Sequence, residues 1–415
     1  MSASSEKKLR SAQRAEGIDK RTMAERKEAQ KRAKEKRRNI LIVVLIVVVA
    51  AAAVYLNSGL FYRSTTALTI DNSELEAYNL DAGSRSFSIA EVNYVYNSQY
   101  MYIMSYMGSY GSSMIDTTKP FDEQPCSFSE EEGYTWDDYF KDQSYNYLKE
   151  MSALSAYADY AGIELDDDDL ASVDSSIETL TKTATDNSWS DLDSFLGGNY
   201  GAGCNESVVR GIMEMEALGN KVLSSISDSF EFTADEISAK YDSVKDSYDV
   251  FAYDYYYVEA ASETDEEGNT VAPTDEAIAA ATATADSIKA LVDEGKTLAE
   301  AVSSVVEGAE PTAKTEVLGG SVETDIRTWI IDAARTAGES GVINVDGKGS
   351  YVVVFGSRDN NQHPNDQSGD MNYCDYIADQ LLRSEGVSSW QSDVLSGITE
   401  VYSVDTGFAL KFVGR

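Results

Sequence analysis

Histidine is almost missing from this chain: 415 residues contain one, His363. That excludes a two-histidine metal site, a His-pair acid/base system and a conventional zinc finger within one chain. A Ser-His-Asp triad would depend on His363, which lies in a polar linker before Pro364 and reads as a solvated residue. Cysteine is scarce too. Cys126, Cys204 and Cys374 are odd in number and widely spaced, so there is no disulfide framework; one bridge plus a spare thiol, or three thiols, are both open. Basic residues are missing from most of the chain. Residues 1–38 hold 14 Lys/Arg against 6 Asp/Glu, a net of +8, and the rest, with 20 against 65, carries −45, which together give the overall −37. A body that acidic repels phosphate backbones, which excludes nucleic acid as its partner. No tandem repeat of fixed period is present.

The apolar content, 42%, is enough for buried cores, and the length leaves room for two or three domains. One apolar run stands out. Residues 40–56, ILIVVLIVVVAAAAVYL, hold no charge. Seventeen residues at about 1.5 Å each give roughly 25 Å, the short end of a bilayer span. Phe61 and Tyr62 suit the interface, and the basic cluster Lys31–Arg38 lies just upstream. The positive-inside rule therefore predicts a transmembrane helix over 39–58, a basic cytoplasmic tail over 1–38 and an extracytoplasmic body over 57–415. Cleavage as a signal peptide fits less well, because the basic region alone exceeds the usual ~15–30 residues of a whole signal. The tail reads as a charged helix that sets topology.

In the body, Ser88 and Glu91 form a capping box that opens a helix to about Met107, and Thr233 and Glu236 form another that opens a helix to about Ser247. Between them the spacing predicts helices over 136–161, 167–186, 190–196 and 206–226. Asp166 to Asp169 lack the spacing, glycine and final glutamate of an EF-hand, and acids at a helix start are favoured by the helix dipole. The loop Gly197–Gly203 lacks the Gly-Lys-Ser/Thr of a phosphate cradle and reads as a turn. From Val250 the pattern changes. VFAYDYYYV (250–258) reads as a strand, a charged loop with Gly268 and Asn269 follows, and helices are predicted over 274–294 and 297–306. A short strand at 317–320, a helix over 326–336 and a hairpin of 342–343 with 351–355 across Gly347-Lys348-Gly349 complete an α+β unit. After a polar linker come helices over 371–384 and 388–395 and an extended piece over 402–405.

The order of these elements resembles a known family. A membrane anchor, a helix opened by FSIAEVNYVYNSQY (Phe87–Tyr100) and helices ending in TADEISAKYD (Thr233–Asp242) resemble the chaperone region of SurA/PrsA-type extracytoplasmic foldases. ADSIKALVDEGKTLAEAVSSV (Ala285–Val305), the turn Leu318-Gly319-Gly320 and ESGVINVDGKGSYVVVF (Glu339–Phe355) resemble a parvulin peptidyl-prolyl isomerase domain. The resemblance implies an α+β chain with a helical chaperone region over 66–249, a parvulin-like antiparallel-sheet domain over 250–358, and C-terminal helices over 371–415 packing back on the helical region. It implies no cofactor and no metal. Its partners would be unfolded or partly folded exported polypeptides and the membrane, through 40–56, with a homodimer left open.

The departures bear on chemistry. Active parvulins resemble one another in a histidine on the first strand and another on the last. Here those strands read Tyr253-Asp254-Tyr255-Tyr256-Tyr257-Val258 and Gly349-Ser350-Tyr351-Val352-Val353. Isomerisation must lower a ~18–20 kcal/mol torsional barrier by stabilising a twisted amide. Without imidazoles the expectation is a client-binding parvulin fold; an isomerase with an atypical site and a structural or adhesive surface protein are the alternatives. The candidates for client contact are Tyr96, Tyr100 and Met104 of the Tyr/Met stripe over 94–110, with Tyr255, Tyr257 and Trp329; core packing is the competing role for each.

Overall fold

The computed structural model describes residues 3–15, 20–71, 84–108, 114–264, 270–396, 399–401 and 409–414. Tyr110, the Gly268-Asn269 turn and the extended piece over 402–405 lie outside the described residues. The fold is α+β, and the chain divides into two compact units: residues 1–224 with 391–415, and residues 225–390.

The first unit opens with α1 (Ala3–Ala15) and α2 (Lys20–Asn57). Helix α2 carries the basic tail into the apolar run without a break. Among the described residues it is the one helix long and apolar enough to cross a membrane. Ile40 to Val49 are all about half exposed, so this greasy surface finds no protein core to enter. A short α3 (Leu60–Ser64) follows, then β1 (Thr66–Asp71) and β2 (Ser84–Ser88). β1 is the centre of a three-stranded antiparallel sheet. One neighbour is β2, and the other is β9 (Thr399–Val401), paired Thr69↔Val401 to Asp71↔Thr399. Residues 391–415 thus belong to the unit that holds the N-terminus, whereas the resemblance implied a return of the whole span 371–415.

Helix α4 (Ile89–Met107) starts at Ser88, whose hydroxyl accepts from the Glu91 amide while Glu91 accepts from the Ser88 amide, so the capping box is formed on both sides. It is followed by α5 (Trp136–Ala161), α6 (Asp167–Asp186), α7 (Leu192–Tyr200) and α8 (Glu206–Ser229). Trp136, Tyr96, Phe140, Phe87 and Leu148 are the largest side chains without exposed surface and form the heart of this unit. One expectation is corrected here. Gly197 and Gly198 are not in a loop but inside α7, because Gly198 makes room for the Trp189 ring; a Cβ there would lie 2.4 Å from it. Asp166 and Asp169 cap α6 and hold Lys221 at 2.7 and 2.6 Å, which accounts for these acids by local structure.

The second unit is built on a four-stranded antiparallel sheet in the order β6-β3-β8-β7, made of β3 (Val250–Glu259), β6 (Thr312–Leu318), β7 (Ser340–Val345) and β8 (Gly349–Asp359). A two-residue pair, β4 (Glu263–Thr264) and β5 (Thr270–Val271), decorates the loop after β3. Helices α10 (Asp275–Asp293) and α11 (Leu298–Val305) cover one face through Ala285, Ile288, Leu298, Ala301 and Val302 packed on Val352. The short α12 (Thr324–Ile330) covers the other through Ile326 and Ile330 on Phe251, Tyr253, Val353 and Phe355. β6 is longer than expected. It is an edge strand, exposed along most of its length, so its polar Thr-Ala-Lys-Thr-Glu sequence gives no alternating apolar signal.

Helix α9 (Ala234–Tyr248) and the N-terminal part of α13 (Tyr373–Ser396) belong to the second unit, so the division falls at Ser224/Ser225 rather than at the expected 249/250. The reason is a buried junction: Tyr241 packs with Cys374, Ile377 and Ala378, and its hydroxyl donates to Asp249 at the start of β3. The two expected C-terminal helices are one. Gly386, between the two expected helices, lies against the Phe230 ring, with a Cβ there only 2.8 Å from it, and the helix runs on. All three cysteines are buried, unpaired thiols.

Candidate functional site

The two faces of β3 are set by strand alternation, so Phe251, Tyr253, Tyr255 and Tyr257 share one side. Opposite them on β8 stand Phe355, Val353 and Tyr351, in the register Tyr253↔Phe355, Tyr255↔Val353 and Tyr257↔Tyr351. Beyond β8, Tyr351 faces Ile343 of β7. Helix α12 has only seven residues and covers this face at one end. Phe251, Tyr253, Val353 and Phe355 are therefore core, while Tyr255, Tyr257, Tyr351, Ile343 and Trp329 remain half-buried. The result is an aromatic floor open to solvent.

Its rings are in contact. Tyr257 and Tyr351 lie 4.6 Å apart between centroids, Tyr255 and Tyr351 5.6 Å, and Tyr253 and Tyr255 6.1 Å. Trp329 is held by two neighbours. Gly341 of β7 lets its indole approach the strand, since a Cβ there would be 2.6 Å from the ring. The Arg335 guanidinium lies over the Trp329 ring, 4.3 Å from its centroid, and is itself paired with Asp332 and Glu339.

Glu323, just before α12, organises the polar side. It accepts from Tyr253 at 2.9 Å and Tyr255 at 3.2 Å, with the Lys314 ammonium at 3.7 Å. Burial alone would raise its pKa, but the tyrosine hydroxyls and Lys314 outweigh burial and hold it below the usual glutamate value. Tyr253, Tyr257 and Tyr351 are pushed the other way, first by burial and then by neighbouring carboxylates. These phenols stay protonated at neutral pH and act as hydrogen-bond donors. Tyr253 and Tyr255 spend theirs on Glu323. The Tyr257 and Tyr351 hydroxyls have no side-chain partner among the described residues and are free to donate to a bound carbonyl. The two strands on which the resemblance would place histidines thus present a tyrosine pair on their common face.

Of the six sequence candidates, Tyr255, Tyr257 and Trp329 come together on this floor. The other three sit on α4 in the first unit. Tyr96 has no exposed surface; it packs on Phe140 at 5.6 Å and donates to Asp137 at 2.9 Å. Tyr100 is buried against Phe121 and Phe140. Both are core residues, a correction to their reading as client contacts, because the side of α4 that carries them packs on α5. Met104 is half-buried one turn further on. The exposed tyrosines of α4 are Tyr102 and Tyr106, stacked at 6.1 Å. Tyr351 and Glu323 were missed. The Tyr257↔Tyr351 register could have revealed Tyr351, whereas nothing in the local pattern marks Glu323. His363 is exposed and pairs with Asp359 at 2.8 Å, outside this floor. Among the described residues no group of three or more His, Cys, Asp or Glu is placed to hold a metal.

No protein-family model and no curated protein matches the chain. Among solved structures it is similar to the peptidylprolyl isomerase PrsA from Bacillus cereus, at 15% identity over 67% of this chain and 93% of that one, with a TM-score of 0.32. It is similar to the foldase protein PrsA from Streptococcus pneumoniae, at 13% identity over 65% and 92%, with a TM-score of 0.28. It is also similar to a SurA-like chaperone of Campylobacter jejuni, at 13% identity over 64% and 89%, with a TM-score of 0.24.

Proposed function

We propose that this chain is a membrane-anchored extracytoplasmic chaperone or foldase that holds newly exported, partly folded polypeptides, with a parvulin-like unit that binds without imidazole chemistry. The observation that carries the reading is the open tyrosine floor of the four-stranded sheet. It offers aromatic area for apolar or prolyl segments and two unengaged hydroxyls for a backbone carbonyl. Aromatic rings give a large contact area at low entropy cost and tolerate varied partners. The anchor reading is supported by the apolar run that follows a basic segment in one helix, the order for which the positive-inside rule favours a cytoplasmic basic end.

The test is aggregation of an unfolded client in the presence of the full chain in lipid nanodiscs. Suppression is expected, and Tyr257→Ala with Tyr351→Ala weakens it several-fold, whereas the two Phe variants lose less because ring area is kept. A cis/trans assay on a proline peptide is expected to run at the uncatalysed rate. Turnover well above it would make the tyrosine pair an atypical isomerase site. Unchanged client aggregation would favour a structural or adhesive surface protein.

A further inference from the structure

The first unit contains a cleft of about 340 Å³ where α4, α5 and α8 meet. Its walls are Tyr94, Val95, Ser98, Gln99 and Tyr102 of α4, Tyr147 of α5, and Ile212 and Glu216 of α8. Three phenol rings, two aliphatic side chains and the polar Ser98 and Gln99 line the cleft, and one acid, the exposed Glu216, stands at its edge. Tyr94 is braced by Tyr200 at 4.9 Å, and Val95 and Ile212 are buried, so the walls are fixed by the unit's own packing.

Glu216 forms no ion pair among the described residues. The two basic residues of α8 are engaged elsewhere: Arg210 with Asp174 at 2.5 Å and Glu206 at 3.1 Å, and Lys221 with the capping acids of α6. Burial raises the pKa of Tyr94 and Tyr147, and the Glu216 carboxylate adds to it in both, through its charge for Tyr94 and through its charge and a hydrogen bond for Tyr147, so these hydroxyls stay neutral donors on the cleft wall. Ring faces carry negative potential and attract cations, and a carboxylate among them supplies the counter-charge. A body with a net −45 enriches cations around such a cleft and repels anions.

We propose that this cleft receives the cationic end of a lysine or arginine side chain carried by an extended client segment, with its alkyl stem between the tyrosines and its charge on Glu216. This deepens the client-binding reading and rests on it. A polypeptide is favoured over a small ammonium by what lies at the mouth. Tyr102 and Tyr106, 63% and 80% exposed, stack into a shelf on which residues flanking the cation can lie.

The experiment uses the full chain in nanodiscs and two fluorescein-labelled apolar peptides that differ at one central position, lysine in one and norleucine in the other. Anisotropy is expected to show the lysine peptide binding about tenfold tighter. Glu216→Gln should erase that preference by weakening the lysine peptide about tenfold. Glu214→Gln, which removes the same charge from the same helix outside the cleft, should keep it. Because Glu216 is exposed, the variant is expected to fold, which circular dichroism checks. Equal binding of the two peptides, or equal weakening by both variants, overturns the proposal. So does displacement of both peptides by micromolar choline, which would assign the cleft to a small quaternary ammonium. If client aggregation is still suppressed while the lysine preference is absent, only this inference falls; if suppression itself is absent, the client-binding reading falls with it.

Discussion

Asp249 has no exposed surface, and its charge is answered by two side chains. The Arg358 Nε donates to one carboxylate oxygen at 2.5 Å and the Tyr241 hydroxyl to the other at 2.5 Å. Arg358 also reaches Asp246 and the Ile331 carbonyl and lies over the Phe251 ring. Removing one partner of a buried pair leaves the other charge unanswered. Arg358→Ala is therefore expected to destabilise the second unit by about 3–5 kcal/mol, read from urea unfolding of the full chain. Arg358→Lys should recover part of that loss, because it keeps the charge but not the forked geometry. The lone histidine gives a second prediction at this scale. Its hydrogen bond with Asp359, then the Pro364 carbonyl, raises the pKa of His363 above the ordinary 6.5. A raised value means that the pair's stabilisation is complete below about pH 6.5 and fades as the pH climbs through the folded-state value. NMR titration, with one imidazole in the spectrum, should show a midpoint above 6.5 that Asp359→Asn brings back toward it. An unshifted wild-type midpoint would remove the pair.

At the scale of elements, two glycines in similar-looking sequence should behave oppositely. Gly341 lies in β7 beneath Trp329, where an added methyl meets the indole at 2.6 Å. Gly341→Ala is expected to cost about 1–3 kcal/mol and to loosen Trp329, seen as a shifted indole emission. Gly211 is inside α8, with nothing within 4 Å of a Cβ. Gly211→Ala should stabilise by about 0.5–1 kcal/mol, because a helix interior favours alanine over glycine. The same contrast explains what could be read beforehand. Capping boxes at Ser88 and Thr233 were legible because the bonds lie within four residues. The Tyr253/Tyr255/Tyr257 face was legible because a strand alternates. Gly198 was misread as part of a turn, and Gly386 fell between two expected helices, because the rings they accommodate, Trp189 and Phe230, are brought there by tertiary packing. The stripe on α4 showed its period but not which side faces α5, so Tyr96 and Tyr100 were offered as contacts while Tyr94 and Tyr102 were passed over. Glu323 was illegible, because its partners Tyr253 and Tyr255 lie some seventy positions away.

For the molecule as a whole, the connectivity is an insertion: residues 225–390 interrupt a unit whose two parts are joined by strand pairing of β1 with β9. Truncation after Trp390 should leave the second unit's unfolding transition in place while the first becomes sensitive to protease. Loss of both transitions together would show that the two units fold as one. The pairing also puts a clock into biogenesis. A chain emerging N-terminus first shows Thr66–Asp71 more than three hundred residues before Thr399–Val401 exists to meet it. The interrupting unit has all its strands in hand and can close early, while the first unit waits with one flank of its central strand bare. A copy that stops short never pairs that flank, and its open backbone donors and acceptors stay available to any other extended chain.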